Sequence, residues 1–263
     1  MQISGSTVLL TGATGGIGQA IARKLHRNAA KLILTGRRID VLEPLAAELD
    51  ARSLAVDLSD RVAVDRLLKE VGEVDILIAN AGLPGTGLID QMGVDEIDAI
   101  LDVNLRAPIM MAKALAPAMA ERGRGHLVFV ASLSGKATSP LSSLYNATKF
   151  GLRGFALAVR PDLRDSNIGV SVICPGFIRE AGMFANSNVK LPPGIGTRSP
   201  QDVADAVVRA IQRNRAEIDV APLALRAGTI VAGFAPQFAA NVTRRTGGEK
   251  LAAQVNAGHR GHG

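Results

Sequence analysis

The chain has 263 residues, 47% of them hydrophobic, and a mean hydropathy of +0.20. That apolar content excludes wholesale disorder, and a lone cysteine, Cys174, excludes an intrachain disulfide scaffold and fits a reducing compartment such as the cytoplasm. The formal net charge of +6 suits an anionic partner, but the basic residues are scattered and aromatics make up only 3%, so nucleic acid is not expected as that partner.

The opening segment, MQISGSTVLLTG, has no cationic stretch or cleavage site, so a signal peptide is not expected. Residues 7–10 (TVLL) read as a strand, followed by a Gly-rich turn and a helix to about residue 28. Strand 32–35 precedes helix 40–49, strand 53–56 precedes helix 61–71, and residues 75–79 (DILIA) form a fourth strand. One long helix is expected over 94–122. Strand 126–131 precedes helix 142–165, and residues 169–174 (GVSVIC) form a sixth strand. Near-continuously apolar strands, each followed by a helix, imply a parallel sheet covered on both faces. The fold class is therefore α/β, a doubly wound Rossmann-like sheet forming one domain over 1–263. Residues 181–198 are rich in Gly, Pro and Asn and read as a substrate lid, with a plain surface connection as the alternative. Ser199-Pro200 opens a helix through 214, because Ser suits the N-cap and Pro the first helical position. Residues 217–220 are the seventh strand. Residues 221–263 form an extension whose apolar part, 227–240, is too short to span a bilayer, which takes roughly 18–20 residues. It reads as a buried segment, a lid or an oligomer contact, with no membrane insertion.

Three constellations could carry chemistry. The turn from Thr11 to Gly18 (TGATGGIG) joins the first strand to the first helix. Glycines there let the backbone approach a pyrophosphate and turn helix N–H groups toward it. Strand two ends in Gly36-Arg37-Arg38, where an NAD site usually places a carboxylate. A carboxylate would repel a 2′-phosphate and guanidiniums would pair with it, so NADP(H) is expected over NAD(H); the alternative is two solvated arginines. Tyr145 is the only tyrosine in the chain, and Lys149 lies one helical turn later, on the same face. A phenol titrates near about pH 10, and a neighbouring ammonium favours its phenolate. Ser132 ends strand five where its hydroxyl could meet a substrate carbonyl, with Ser134 as a competitor. Asn104 sits in the long helix, where it is either structural or the anchor of a water chain.

Together these residues resemble the short-chain dehydrogenase/reductase family, from residue 5 to about residue 220. Thr11, Gly12, Gly16 and Gly18 match its TGxxxGxG turn, Asp57 its adenine-contacting acid, and Asn80-Ala81-Gly82 its NAG. Asn104, Ser132, Tyr145 and Lys149 match its catalytic tetrad, and Pro175-Gly176 its PG. The resemblance implies hydride transfer between nicotinamide and a carbonyl or secondary alcohol. Tyr145 would move the proton, Ser132 polarise the carbonyl, Lys149 hold the ribose, and Asn104 maintain a water relay. The cofactor would contact Gly12, Thr14, Gly16, Ile17, Gly18, Arg37, Arg38, Asp57, Leu58, Asn80, Ala81, Gly82, Tyr145, Lys149, Pro175, Gly176 and Ile178.

Three departures stand out. Ala79 replaces the commoner Asn before NAG. Glu180 stands where the family often has a carboxamide-contacting Thr, so that contact falls to backbone near Ile178 or the loop differs. The C-terminal extension could reshape the pocket. Ser132, Leu133, Leu141, Phe177, Met183 and Phe184 are expected to line the substrate pocket, favouring an apolar ketone or aldehyde; a carrier-bound acyl ketone is the alternative. A homodimer or homotetramer is expected. His259 and His262, in a Gly-rich tail without acidic or thiol partners, give no metal site. The competing reading is a non-catalytic dinucleotide-binding sensor on the same fold.

Overall fold

The computed structural model describes residues 1–182, 196–245, 248–249 and 252–254. Its sheet explains the apolar strands. Strands β1 (Thr7–Leu10), β2 (Lys31–Gly36), β3 (Arg52–Ala55), β4 (Ile76–Ala79), β5 (Gly125–Val130), β6 (Ile168–Pro175) and β7 (Glu217–Val220) pair in the order β3-β2-β1-β4-β5-β6-β7, all parallel. Alternate side chains enter opposite cores, as the two-residue repeat of a strand requires. Val8, Leu10, Ile76, Ile78, Val128 and Val130 face one core. Leu9, Leu77, Ala79, Leu127 and Phe129 face the other. Helices α1 (Gly16–Arg27) and α2 (Ile39–Glu48) cover the first, and α3 (Arg61–Glu70) covers the second.

The expected long helix is interrupted. It forms as α4 (Val94–Leu101) and α5 (Ala107–Glu121), separated by a π-helical turn at Asp102–Arg106. The wider turn carries two buried polar groups that a regular helix would place differently. Asp102 takes Arg61 at 3.1 Å, and Asn104 is fully buried. Such turns recur at functional sites.

Helix α6 (Ser143–Asp162) follows β5, and α7 (Pro200–Arg213) precedes β7. The expected start of α7 is a capping box. The Ser199 hydroxyl accepts the Asp202 N–H at 3.1 Å, and the Asp202 carboxylate accepts the Ser199 N–H at 2.8 Å. The apolar stretch beyond β7 becomes two helices, α8 (Leu223–Phe234) and α9 (Pro236–Arg245), broken before Pro236. It is not a wholly buried segment: Thr229 points inward, while Leu223, Ile230, Phe234 and Phe238 lie exposed. Among the described residues, no helix is long and apolar enough to cross a membrane.

The chain runs outward from β1 to β3, then crosses back to β4. That reversal opens a crevice at the carboxyl ends of β1 and β4, where ligands bind in open α/β sheets.

Candidate active site

The Gly-rich turn occupies this crevice. Gly12 has a φ of +66°, and a Cβ there would lie 2.7 Å from the Ala81 Cα. A Cβ on Gly18 would lie 2.1 Å from the Gly12 carbonyl oxygen. Neither position has room for a side chain. The turn is tied to the segment after β4. The Thr11 Oγ1 accepts the N–H groups of Asn80 and Ala81, each at 3.1 Å. The Asn80 amide donates to the carbonyls of Thr11 at 3.0 Å and Gly12 at 3.2 Å. Helix α1 starts here with no side-chain cap and no acid in its first turn. Its first N–H groups are thus left for an anion, with the helix dipole behind them.

At the end of β2, the Arg38 guanidinium donates to the Thr14 carbonyl, and Arg37 lies 3.7 Å from Asp57. Burial lifts the Asp57 carboxyl, but hydrogen bonds from Ser59 and the Arg37 charge more than offset that, holding it below its ordinary value. Both arginines therefore have partial partners, and both still face the cavity together with Asp57 and Leu58.

At the end of β5, the Ser132 hydroxyl accepts the Ser134 N–H at 3.0 Å and sits 3.4 Å from the Pro175 carbonyl. It also hydrogen-bonds the Tyr145 phenol. Both serines line the cavity; the Ser132 hydroxyl meets the phenol, and the Ser134 N–H donates to Ser132. Tyr145 lies in the first turn of α6, its N–H donating to the Gly85 carbonyl at 3.2 Å. Burial pushes its phenol up to about 12, opposed by the Ser132 hydrogen bond. Lys149 is buried, with its ammonium 3.1 Å from the Val130 carbonyl and 5.6 Å from the centre of the Tyr145 ring. Burial lowers that ammonium to about 8.

These groups share one cavity of about 680 Å³. It runs from Arg37 and Asp57, past Gly12 and Asn80, to Ser132, Tyr145 and Lys149. Beyond them it is walled by Leu133, Phe177, Leu225 and Thr229. Every residue expected at the cofactor lies on its wall, including Thr14, Gly16, Ile17, Gly82, Pro175, Gly176 and Ile178.

Two expected site residues, Asn104 and Leu141, lie off the cavity wall. Asn104 is fully buried, and it is absent from the cavity wall. Its amide oxygen accepts the Leu83 N–H at 2.7 Å, and its amide nitrogen donates to the Leu83 carbonyl at 2.9 Å and to the Thr148 Oγ1 at 3.3 Å. These bonds tie the wall segment after β4 to the helix that carries Tyr145. Leu141 is also off the wall. With a φ of +56° and its carbonyl bonded to the Gly87 N–H, it leaves its neighbours Pro140 and Ser142 to face the cavity. Glu180 is not on the cavity wall. Its backbone has a φ of +68°, and its carboxylate pairs with Arg179 at 2.9 Å, while Ile178 keeps its place on the wall. Met183 and Phe184, most of the expected lid, and His259 and His262 lie outside the described residues. Of the segment read as a lid or a surface connection, Ala181 and Gly182 line the cavity. Among the described residues, no group of three metal-ligating side chains exists.

Sequence reasoning missed the far wall: Thr86, Ala137, Thr138, Ser139, Leu225, Thr229 and Thr243. No motif marks them. The length of the C-terminal extension was the one available signal.

The short chain dehydrogenase family profile matches residues 6–191. The chain belongs to the short-chain dehydrogenase family. Among its relatives, the ketoacyl reductase HetN of Nostoc sp. (strain PCC 7120) is 35% identical, over 83% of this chain and 79% of that protein. Dehydrogenase/reductase SDR family member 7B of Mus musculus is 37% identical over 66% of this chain, which spans only 58% of that relative. A short-chain dehydrogenase from Sphingobium yanoikuyae, solved in complex with NADPH, superposes with a TM-score of 0.75 at 27% identity, covering 81% of this chain and 87% of that one. The family profile ends at residue 191, so α8 and α9 of this short-chain dehydrogenase lie outside it.

Proposed function

We propose that the chain is an NADP(H)-dependent oxidoreductase of the cytoplasm that interconverts an apolar ketone or aldehyde and its alcohol. The observation that carries this reading is the meeting of Ser132, Tyr145 and Lys149 on one cavity with the Gly-rich turn and the arginine pair. The residues fit a dinucleotide phosphate. Gly12 and Gly18 leave a floor without side chains, the uncapped start of α1 offers N–H donors, and Arg37 and Arg38 offer cations for a 2′-phosphate.

When bound, the cofactor would supply a hydride to the substrate carbonyl carbon. The residues of the chain do the rest. Tyr145 holds its proton at neutral pH because burial disfavours the phenolate, so it enters reduction as a general acid toward the carbonyl oxygen. Ser132 donates a hydrogen bond to the same oxygen and fixes its position. Lys149 supplies positive charge as the phenolate forms, and would hold the nicotinamide ribose. In oxidation Tyr145 must first lose its proton, which raises the pH at which that direction runs.

The substrate end favours an uncharged molecule. The acidic and guanidinium side chains on the described wall, Arg37, Arg38 and Asp57, all lie at the opposite end. Leu83, Leu133, Pro140, Phe177 and Leu225 supply apolar surface, and Thr and Ser hydroxyls supply the polar contacts. The test is a carbonyl panel followed by NADPH oxidation. Turnover of lipophilic ketones or aldehydes above sugars and phosphorylated acids is expected. The reverse order would overturn the substrate reading, and turnover by Tyr145→Phe equal to wild type would overturn the chemistry.

A further inference from the structure

We propose that the outer face of α8 and α9 docks on an anionic lipid surface. Leu223, Ile230 and Phe234 are spaced seven and four residues apart, and at about 100° per residue they form one narrow stripe on α8. They are 77%, 62% and 89% exposed. On α9, Phe238 is 61% exposed, and Arg245 stands seven residues later on the same side of the helix. The opposite side of the pair is already used: Leu225, Thr229 and Thr243 wall the cavity. Contiguous exposed apolar surface of this kind marks an interaction site.

Charge selects the occupant. No acidic residue lies between Asp219 and Glu249; within that stretch Arg226 pairs with Asp219 at 3.9 Å, and Arg244 and Arg245 close α9. A second copy docking symmetrically on this face would bring the Arg244-Arg245 ends of two chains together, like charge against like. An anionic bilayer surface instead pairs with the arginines and accepts the phenylalanines and aliphatic side chains at the headgroup boundary. The helices would lie on the membrane without crossing it, consistent with their length. The inner face of the same helices would then bring the cavity close to the lipid.

Vesicle flotation tests the proposal without any assumption about catalysis. Two vesicle compositions are compared: phosphatidylcholine alone, and phosphatidylcholine with phosphatidylglycerol. Wild type should float with the anionic vesicles and be released by high salt. Phe234→Glu/Phe238→Glu and Arg244→Glu/Arg245→Glu should each lower the bound fraction by about tenfold. Light scattering and thermal unfolding of both variants should match wild type. Wild type remaining unbound to anionic vesicles, or variants floating as well as wild type, would overturn the proposal. So would a wild-type oligomer that dissociates on Phe234→Glu/Phe238→Glu. If a variant fails to fold, the two vesicle compositions and the salt dependence of wild type decide the matter alone.

Discussion

At one end of the cavity the wall is backbone, and at the other it is side chains. The end near Arg37 is built from a glycine turn, a helix start and the Thr11–Asn80 hydrogen bonds. A Cβ at Gly12 or Gly18 would collide with backbone, so these positions dictate residue type and spacing. The end near Leu225 is built from apolar and hydroxyl side chains on α8, α9 and the loop after β5. Many residues of similar size would fill that wall. Chemistry that depends on backbone shape is written in the sequence as a motif, and a wall that depends on volume is not. Ser132, Tyr145 and Lys149, the proposed catalytic group, stand where the two ends meet, and substitutions there should have the greatest effect.

Tyr145→Phe should give the largest loss. Removing the phenolic proton should lower turnover by about 10²–10⁴-fold while NADPH binding persists, because general acid catalysis has that range. Single-turnover hydride transfer checks it against a parallel binding titration.

Lys149 makes the next effect visible in stability. Its folded value, about 8, lies below its ordinary 10.5. Between those values the unfolded chain holds a proton that the folded chain lacks, so stability rises with pH across that window. The burial penalty is fully present below about 8 and gone above 10.5. Measured by urea unfolding, wild type should gain on the order of 3 kcal/mol across the window relative to Lys149→Met, a difference in which the opposing contribution of the buried Cys174 thiol, raised to about 12, cancels. Tyr145 works in the opposite direction only above its ordinary value of 10, where the folded chain keeps a proton the unfolded chain loses.

Asn104→Ala should cost about 2–3 kcal/mol of stability, because both backbone groups of Leu83 lose their partner. Thermal unfolding checks this. A loss of activity without a loss of stability would instead place Asn104 in the chemistry.

Arg37→Asp with Arg38→Ala should weaken NADPH binding by about tenfold or more and leave NADH nearly unchanged, as expected for charge-assisted hydrogen bonds to one phosphate. Equal loss for both nucleotides would show that the arginines act on the fold. The smallest effect belongs to the side-chain end. Leu225→Ala should change kcat/KM for a bulky ketone by only about 5–10-fold, the scale of a few methylene groups in an apolar pocket.

The fold was legible because the inner strands are buried on both faces and therefore read as apolar runs, from TVLL at β1 to GVSVIC within β6, whereas the edge strands β3 and β7 are only partly buried. The break at 102–106 was not legible, because Asp102 and Asn104 fit a helical pattern until their buried partners, Arg61 and Leu83, are known. The sequence left Asn104 as either structural or a water anchor, because its bonds to Leu83 and Thr148 join residues far apart in the chain. Leu141 was misplaced for a local reason: its left-handed backbone reverses which neighbours face the cavity. The Ser132–Tyr145–Lys149 group was legible because the lone tyrosine left no competing choice.

The most direct test of the central claim is a paired fluorescence titration of the wild-type protein with NADPH and NADH. The account predicts saturable binding of both, with NADPH tighter. Binding of neither nucleotide would contradict it, because the glycine turn and the open start of α1 would then not form a competent dinucleotide site.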